Sequence, residues 1–210
     1  MKHLITGLLA STALIAFTAQ ATEEPVYEVV RQLDGAQMRA YAPYVVAEVV
    51  VEGPAGEAGS TAFPILAGYI FGKNKGERTF DMTAPVTQTA APVQLDMTAP
   101  VTLAAAAGGY RVQFVLPRTV SLATAPEPLD PRVQLRQVAG QRVAVIRYSG
   151  FWSKANDDAH LARLQGILRE AQITWSGEPV LSRYDPPFMP WFLRRNEIWL
   201  NVATAVEQGS

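Results

Sequence analysis

The sequence has no cysteine. That excludes a disulfide framework, a lipid-anchoring cysteine, a thiolate nucleophile and any cysteine-based zinc or cluster site, so stability must come from a packed core. Histidine is nearly absent: there are two, His3 and His160. His160 alone cannot build a His-x-x-x-His metal site, and a Ser–His–Asp triad would have to rest on it entirely. Long apolar runs are missing as well. The stretch Leu4–Phe17 holds 14 residues, short of the roughly 20 that a spanning helix needs, so no membrane span is expected. Charge of one sign is not in excess, with 18 Lys and Arg against 19 Asp and Glu. No stretch interleaves basic and aromatic residues as a nucleic-acid surface would, and nucleic acid is not an expected partner.

What is present begins with a leader. Lys2 gives a short positive region, Leu4–Phe17 an apolar one, and Ala19-Gln20-Ala21 a small-x-small cleavage site. Residues 1–21 therefore read as a signal peptide, with the mature protein starting near Thr22 and exported to the periplasm. Residues 22–210 suit one domain, with its core between about 25 and 203.

Strand signals open the mature chain. "YEVVRQL" and "AQMRAYAPYVVAEVVVEG" carry β-branched density around Ala42-Pro43, which predicts two or three strands before residue 53. The stretch 53–76 reads as a first helix, capped at Ser60 or Thr61, with Phe63, Leu66 and Ile70 at helical spacing and Pro64 in its first turn. Residues 79–116 should hold three strands, the last of them "YRVQFVLP". "RVQLRQVAGQRVAVIRYSG" reads as a hairpin turning at Ala139-Gly140. A second helix follows "SGFWS", capped by Ser153 or Asn156, with Leu161, Leu164, Leu168 and Ala171 on one stripe. Strands around 179–184 and 195–203 close the chain, separated by a proline-stiffened loop. The β-helix-β-β order is thus written twice.

Within 79–116 the heptapeptide DMTAPVT occurs at 81–87 and again at 96–102. Two copies are too few for a solenoid, and the local reading is a hairpin of two similar strands, each bent at Pro85 or Pro100. Met82 and Met97 read as core gap-fillers, and Asp81 and Asp96 as solvated strand residues rather than an acid–base pair.

Three motifs then carry a family resemblance: MTAPV at 82–86 and 97–101, YSGFWS at 148–153, and YDPP with RRNEIW across 184–199. In this order and spacing the chain resembles the SOUL haem-binding family from about residue 25 to 203. The resemblance implies an α+β fold: a distorted antiparallel β-barrel or twisted sheet flanked by two helices, in two similar βαββ halves. It also implies a non-enzymatic protein that holds haem or another porphyrin reversibly in an apolar cleft beside the first helix. The resemblance places Phe63 and Ala67 of the helix and Met189 of the proline-rich loop at that cleft, and the residues beside them add Leu66 and Ile70 on the helix, Lys73 beyond it and Trp191 in the loop. Ser60, Gly68 and Met189 stand where relatives carry cations. Lys73, Lys75 and Arg78 can supply charge-assisted donors to propionates, or can simply favour the helix dipole. His160 is the candidate axial ligand, and no other metal site is expected.

Alternatives stay open. One is a binder of another small apolar ligand. A second is a tetrapyrrole-modifying enzyme with Asp81, Asp96, Glu197 or His160 as proton carriers. A third is an envelope protein that docks a partner through exposed aromatics. Phe188, Trp191 and Phe192 can form an outer wall or plug the end of the barrel, and Arg194, Arg195 and Glu197 can grip an anion or form a structural ion pair.

Overall fold

The computed structural model describes residues 23–91, 109–186 and 188–202. The leader and the second DMTAPVT copy, with Asp96, Met97 and Pro100, lie outside them. Strands β1 (Tyr27–Leu33), β2 (Ala36–Tyr41) and β3 (Tyr44–Glu52) precede helix α1 (Ala55–Ile70) and strands β4 (Val86–Ala91) and β5 (Gly109–Val115). Strands β6 (Gln134–Val138) and β7 (Gln141–Tyr148) then lead to α2 (Lys154–Glu170), β8 (Trp175–Arg183) and β9 (Asn196–Val202).

All nine strands join one antiparallel sheet in the order β1-β2-β7-β9-β8-β4-β5-β3-β6. Each half is a βαββ unit, β3-α1-β4-β5 and β7-α2-β8-β9, and the halves meet where β4 pairs with β8, Thr87 opposite Ser182. The expected two-helix, two-half α+β architecture is therefore present.

Alternation decides which face each helix covers. Val45, Ala47, Val49 and Val51 of β3 and Val112 and Phe114 of β5 pack against Ala58, Ala62, Leu66 and Ile70 of α1. Ala144 and Ile146 of β7 and Ile198 and Leu200 of β9 pack against Leu164 and Leu168 of α2. The residues between them, Glu48, Gln113, Thr87, Ser182, Glu197 and Arg147, form one rung across the opposite, inner face of the curled sheet.

The Ala139-Gly140 step is not a hairpin. β6 pairs with β3, and β7 with β2 and β9. The pairs Tyr41–Gln141 and Tyr44–Val138 share one register, so β2-β3 and β6-β7 are two long bent strands lying side by side, with both bends at the same level. Local turn chemistry signalled a bend there, and the long-range ladder decided that the chain continues rather than reverses.

The first DMTAPVT copy is also differently placed. β4 has β5 on one side and, over Val86–Gln88, β8 on the other, so a hairpin between the two copies is ruled out along that stretch. Pro85, in a cis bond with Ala84, sits directly before β4, a strand-end position as expected. Thr83 is buried and donates its hydroxyl to the Val115 carbonyl. Met82 is exposed rather than filling the core, and Asp81 is exposed as expected.

Helix α1 starts six or seven residues earlier than its sequence signals suggest. Pro54 stands at the N-cap without a side-chain cap bond, and Ser60 turns its hydroxyl back to the Glu57 carbonyl at 2.8 Å. Burial of Ala58 and Ala62 against the sheet outweighs the helix-breaking tendency of Gly56 and Gly59. Pro64 consequently sits mid-helix, on an exposed face, where it cannot donate to the Ser60 carbonyl. An interior proline costs about 3 kcal/mol, offset by up to about 1 kcal/mol of unfolded-state entropy. Pro64→Ala is therefore expected to stabilise the chain by about 2 kcal/mol in urea unfolding.

Candidate functional site

The residues assigned to the cleft by α1 divide by exposure. Leu66 is fully buried, with Ala67 and Ile70 close to it, and all three face the sheet in the core. Phe63 is 44% exposed and rests edge-on against Phe114 with ring centroids 5.4 Å apart. Only Phe63 of this set thus offers a ring face outward from the helix. Phe71, just past α1, is also exposed.

Beyond α1 a tight turn is organised by buried Asn74, whose amide donates to the carbonyls of Tyr69 and Arg78 and whose oxygen accepts from the Arg78 N–H. Lys73 lays its aliphatic stem on the helix at Gly68, where a Cβ would come within 3.0 Å of the Lys73 Cδ. Lys75 is paired with Glu127 at 2.6 Å, and Arg78 donates to the Thr124 carbonyl and lies over the Phe80 ring.

The proline-rich loop sits at the same end of the sheet. The first residue of β4 pairs with the last of β8, Val86 with Arg183, so the segment that links α1 to β4 and the 184–195 loop leave the β4–β8 pair at the same end. Phe151 and Trp191 stack at 5.4 Å, and Phe192 meets Trp191 edge-on at 5.5 Å. Phe151, Phe188, Trp191, Phe192 and Leu193 are exposed, Phe188 by 85%. These rings form an outer wall and do not plug the barrel. Met189 is half-buried beside them and accepts at its carbonyl from Arg194 Nε.

YSGFWS and RRNEIW are spatial partners. Gly150 adopts φ +119° and donates to the Trp191 carbonyl at 2.9 Å. A Cβ there would lie 2.7 Å from the Asn156 amide, so both backbone and space favour glycine. Asn156 ties this turn by donating to the Ser149 and Phe151 carbonyls, while Ser153 caps α2. Fully buried Asn196 accepts from Trp152 Nε1 at 2.9 Å.

His160 stacks on Tyr148 at 4.2 Å, and its Nδ1 lies 2.8 Å from the Asn156 carbonyl. A carbonyl only accepts, so Nδ1 carries the proton and Nε2 is the nitrogen left for a ligand. Tyr148 in turn donates to Asp157, which Arg183 pairs at 2.6 Å.

Sequence reasoning undervalued the inner face, where Glu197 is completely buried. Arg39 grips it through two donors at 2.9 and 3.3 Å. Arg195 adds two more at 3.0 and 2.9 Å, and the Tyr184 hydroxyl and Trp199 indole donate at 2.7 and 2.9 Å. Burial by itself would push the Glu197 carboxyl up, but the two guanidiniums overcome it and hold the group below its ordinary value. Burial and the Glu197 charge drive the Tyr184 phenol well up. The structural reading of Arg195 and Glu197 is the one the geometry supports. Arg39, 158 positions away, carried no local signal of this role.

Two clefts open away from the helices. One of about 350 Å³ lies where the N-terminal segment Glu23–Val26 crosses Pro43, Tyr44, Leu116 and Val120. A smaller one of about 200 Å³ is lined by Glu48, Val49, Val50, Arg132 and Gln134. Among the described residues, no group of three His, Cys, Asp or Glu could hold a metal ion, and no helix is long and apolar enough to cross a membrane.

These features converge on one comparison. The SOUL heme-binding protein family profile matches residues 22–201. The chain belongs to the SOUL family. Its relatives include mouse "Heme-binding protein 1", 29% identical over 152 residues that cover 72% of this chain and 75% of that protein. Mouse "Heme-binding protein 2" is 27% identical over 187 residues, 86% of each chain. The fold is shared more widely. The EcmrR C-terminal domain superposes with TM-score 0.58 at 10% identity, covering 85% of this chain and 99% of that domain. A hydrolase from Listeria innocua superposes with TM-score 0.57 at 13% identity, over 83% and 94% of the respective chains. At such identities the likeness concerns architecture alone.

Proposed function

We propose that this SOUL protein binds haem or a related tetrapyrrole at the edge where the C-terminal end of α1 meets the proline-rich loop, and that it is exported to do so. The observation that carries the reading is the exposed aromatic surface of Phe151, Phe188, Trp191 and Phe192 on loops fixed by Gly150, Asn156 and Asn196. A rigid, solvent-facing aromatic wall serves no core, and it suits a flat macrocycle. Phe63 and Phe71 add apolar surface from the α1 side.

The residues present fit the group in its apolar part. Bound haem would supply a planar π-system, two propionates and an iron open to axial ligands. Phe63 and Trp191 would lie against the ring, and Lys73, on its stem along α1, would meet a propionate by charge-assisted donation. Leu66, Ala67 and Ile70 would act beneath, holding α1 in place. Contact dominated by ring faces favours reversible binding with weak or exchangeable ligation. Glu197 is sealed and held ionised by two arginines, which favours a structural role for it over that of a proton carrier.

Titration with haemin, followed at the Soret band, is expected to saturate in the micromolar range. Phe63→Ala and Trp191→Ala should each weaken binding about tenfold, equivalent to about 1.4 kcal/mol, without a large loss of stability because both rings are partly in water. His160→Ala is expected to leave the Soret maximum in place, and a metal-free porphyrin to bind comparably. Absence of saturable binding in every form would sink the proposal.

A further inference from the structure

The inner face carries a second charged constellation that the tetrapyrrole reading does not use. Glu48 on β3 pairs across the ladders with Gln113 on β5 and Gln134 on β6. Cross-strand partners share a face, and Val49 and Val112 point the other way, toward α1. The neighbouring rungs place Arg111 opposite Val50 and Arg136 opposite Val46. Two arginines from different strands therefore flank one nearly buried carboxylate.

Glu48 accepts from Gln113 Nε2 at 2.6 Å and from Arg136 Nε at 2.9 Å. Arg111 Nε stands 3.5 Å from its other oxygen, and this buried nitrogen has no hydrogen-bond partner. Both guanidiniums turn Nε toward Glu48, on side chains 41% and 45% exposed. One carboxylate against two guanidiniums gives a local excess of one positive charge. Arg132, which lines the neighbouring cleft with Glu48 and Gln134, is already neutralised by Asp130 through contacts of 3.0 and 2.6 Å.

We propose that Arg111 and Arg136, oriented by Glu48, form a binding site for a small oxyanion, a carboxylate or phosphate group, on the face of β3 between β5 and β6. The chemistry is that of paired guanidinium forks, which present planar N–H donors matched to two-oxygen acceptors. Glu48 holds the forks in place and cancels one of their charges, so affinity is moderate. The exposed Val50 side chain supplies an apolar neighbour, which suits an organic acid. Because this face is opposite α1, its occupant is independent of any macrocycle bound at the aromatic wall.

The test is calorimetric titration of the intact protein with inorganic phosphate and, separately, with succinate, at low ionic strength and with sodium chloride as control. Saturable binding of either probe is expected, weakened at least tenfold in Arg111→Met and in Arg136→Met and unchanged in Arg118→Met, an exposed arginine elsewhere. Which probe binds more tightly assigns the natural group to phosphate or carboxylate. Both site variants should keep a cooperative thermal transition, lowered by the loss of a partner to nearly buried Glu48, and the wild-type haemin titration, which separates loss of this site from misfolding and from failure of the tetrapyrrole reading. No saturable binding of either probe, or equal weakening in Arg118→Met, would overturn the proposal.

Discussion

Glu197→Ala is expected to destabilise the protein by about 3–5 kcal/mol, enough to leave a marginal domain largely unfolded near body temperature. The substitution removes a carboxylate that satisfies donors from Arg39, Arg195, Tyr184 and Trp199. What remains is Arg39, almost wholly buried and without its carboxylate, beside an Arg195 that keeps only Glu24 at 2.7 Å. The penalty is the cost of stranded charges more than the value of the pair, so a variant that also replaces Arg39 by methionine should recover part of the loss.

The same network fixes an acid response. The folded-state pKa of Glu197 is depressed below the ordinary 4.5. The unfolded chain therefore takes up its proton first as pH falls, and the stabilisation is fully present above about pH 4.5 and is lost as pH drops through the folded value. Urea midpoints measured between pH 7 and pH 3 should fall steeply at the acid end. In Glu197→Gln, lower in stability throughout, that acid slope should be shallower. Equal slopes in the two proteins would assign acid sensitivity to other carboxylates.

Leu66→Ala is expected to cost about 2–5 kcal/mol. The side chain is fully buried among Val49, Val112 and Phe114 under α1, and its removal leaves a cavity in a layer with few alternatives for collapse. Its value as a test lies in the contrast with Phe63, three residues earlier on the same helix. Measured at a temperature where both variants are folded, Leu66→Ala should retain haemin affinity while Phe63→Ala loses it. The reverse result would place the ligand inside the α1–sheet layer and not at the exposed edge.

Much of the architecture was legible because periodicity records burial. Val112 and Phe114 alternate with the polar Arg111 and Gln113, and Leu161, Leu164 and Leu168 recur at helical spacing, each pattern reporting the face that meets the core. The motifs were legible as strings, but their meaning was not. YSGFWS and RRNEIW are adjacent because Trp152 donates to Asn196, a contact across 44 positions that no local rule implies. The glycine and serine signals put the start of α1 too late because their propensities are weak beside the packing of Ala58 and Ala62. Phe63, Leu66 and Ile70 share a helical stripe, and only the sheet's position shows that Leu66 and Ile70 are core while Phe63 is surface.

By itself the sequence determined the two-helix, two-half α+β plan, the absence of thiol and multi-histidine chemistry, and the family. Those follow from composition and short-range pattern, which are properties of neighbouring residues. Tertiary structure alone decided that the chain continues through Ala139-Gly140, that Arg39 neutralises Glu197, and that Glu48 gathers Arg111 and Arg136. These depend on strand register between distant segments, and register is set by the summed burial of a whole ladder, to which no single residue contributes a readable signal.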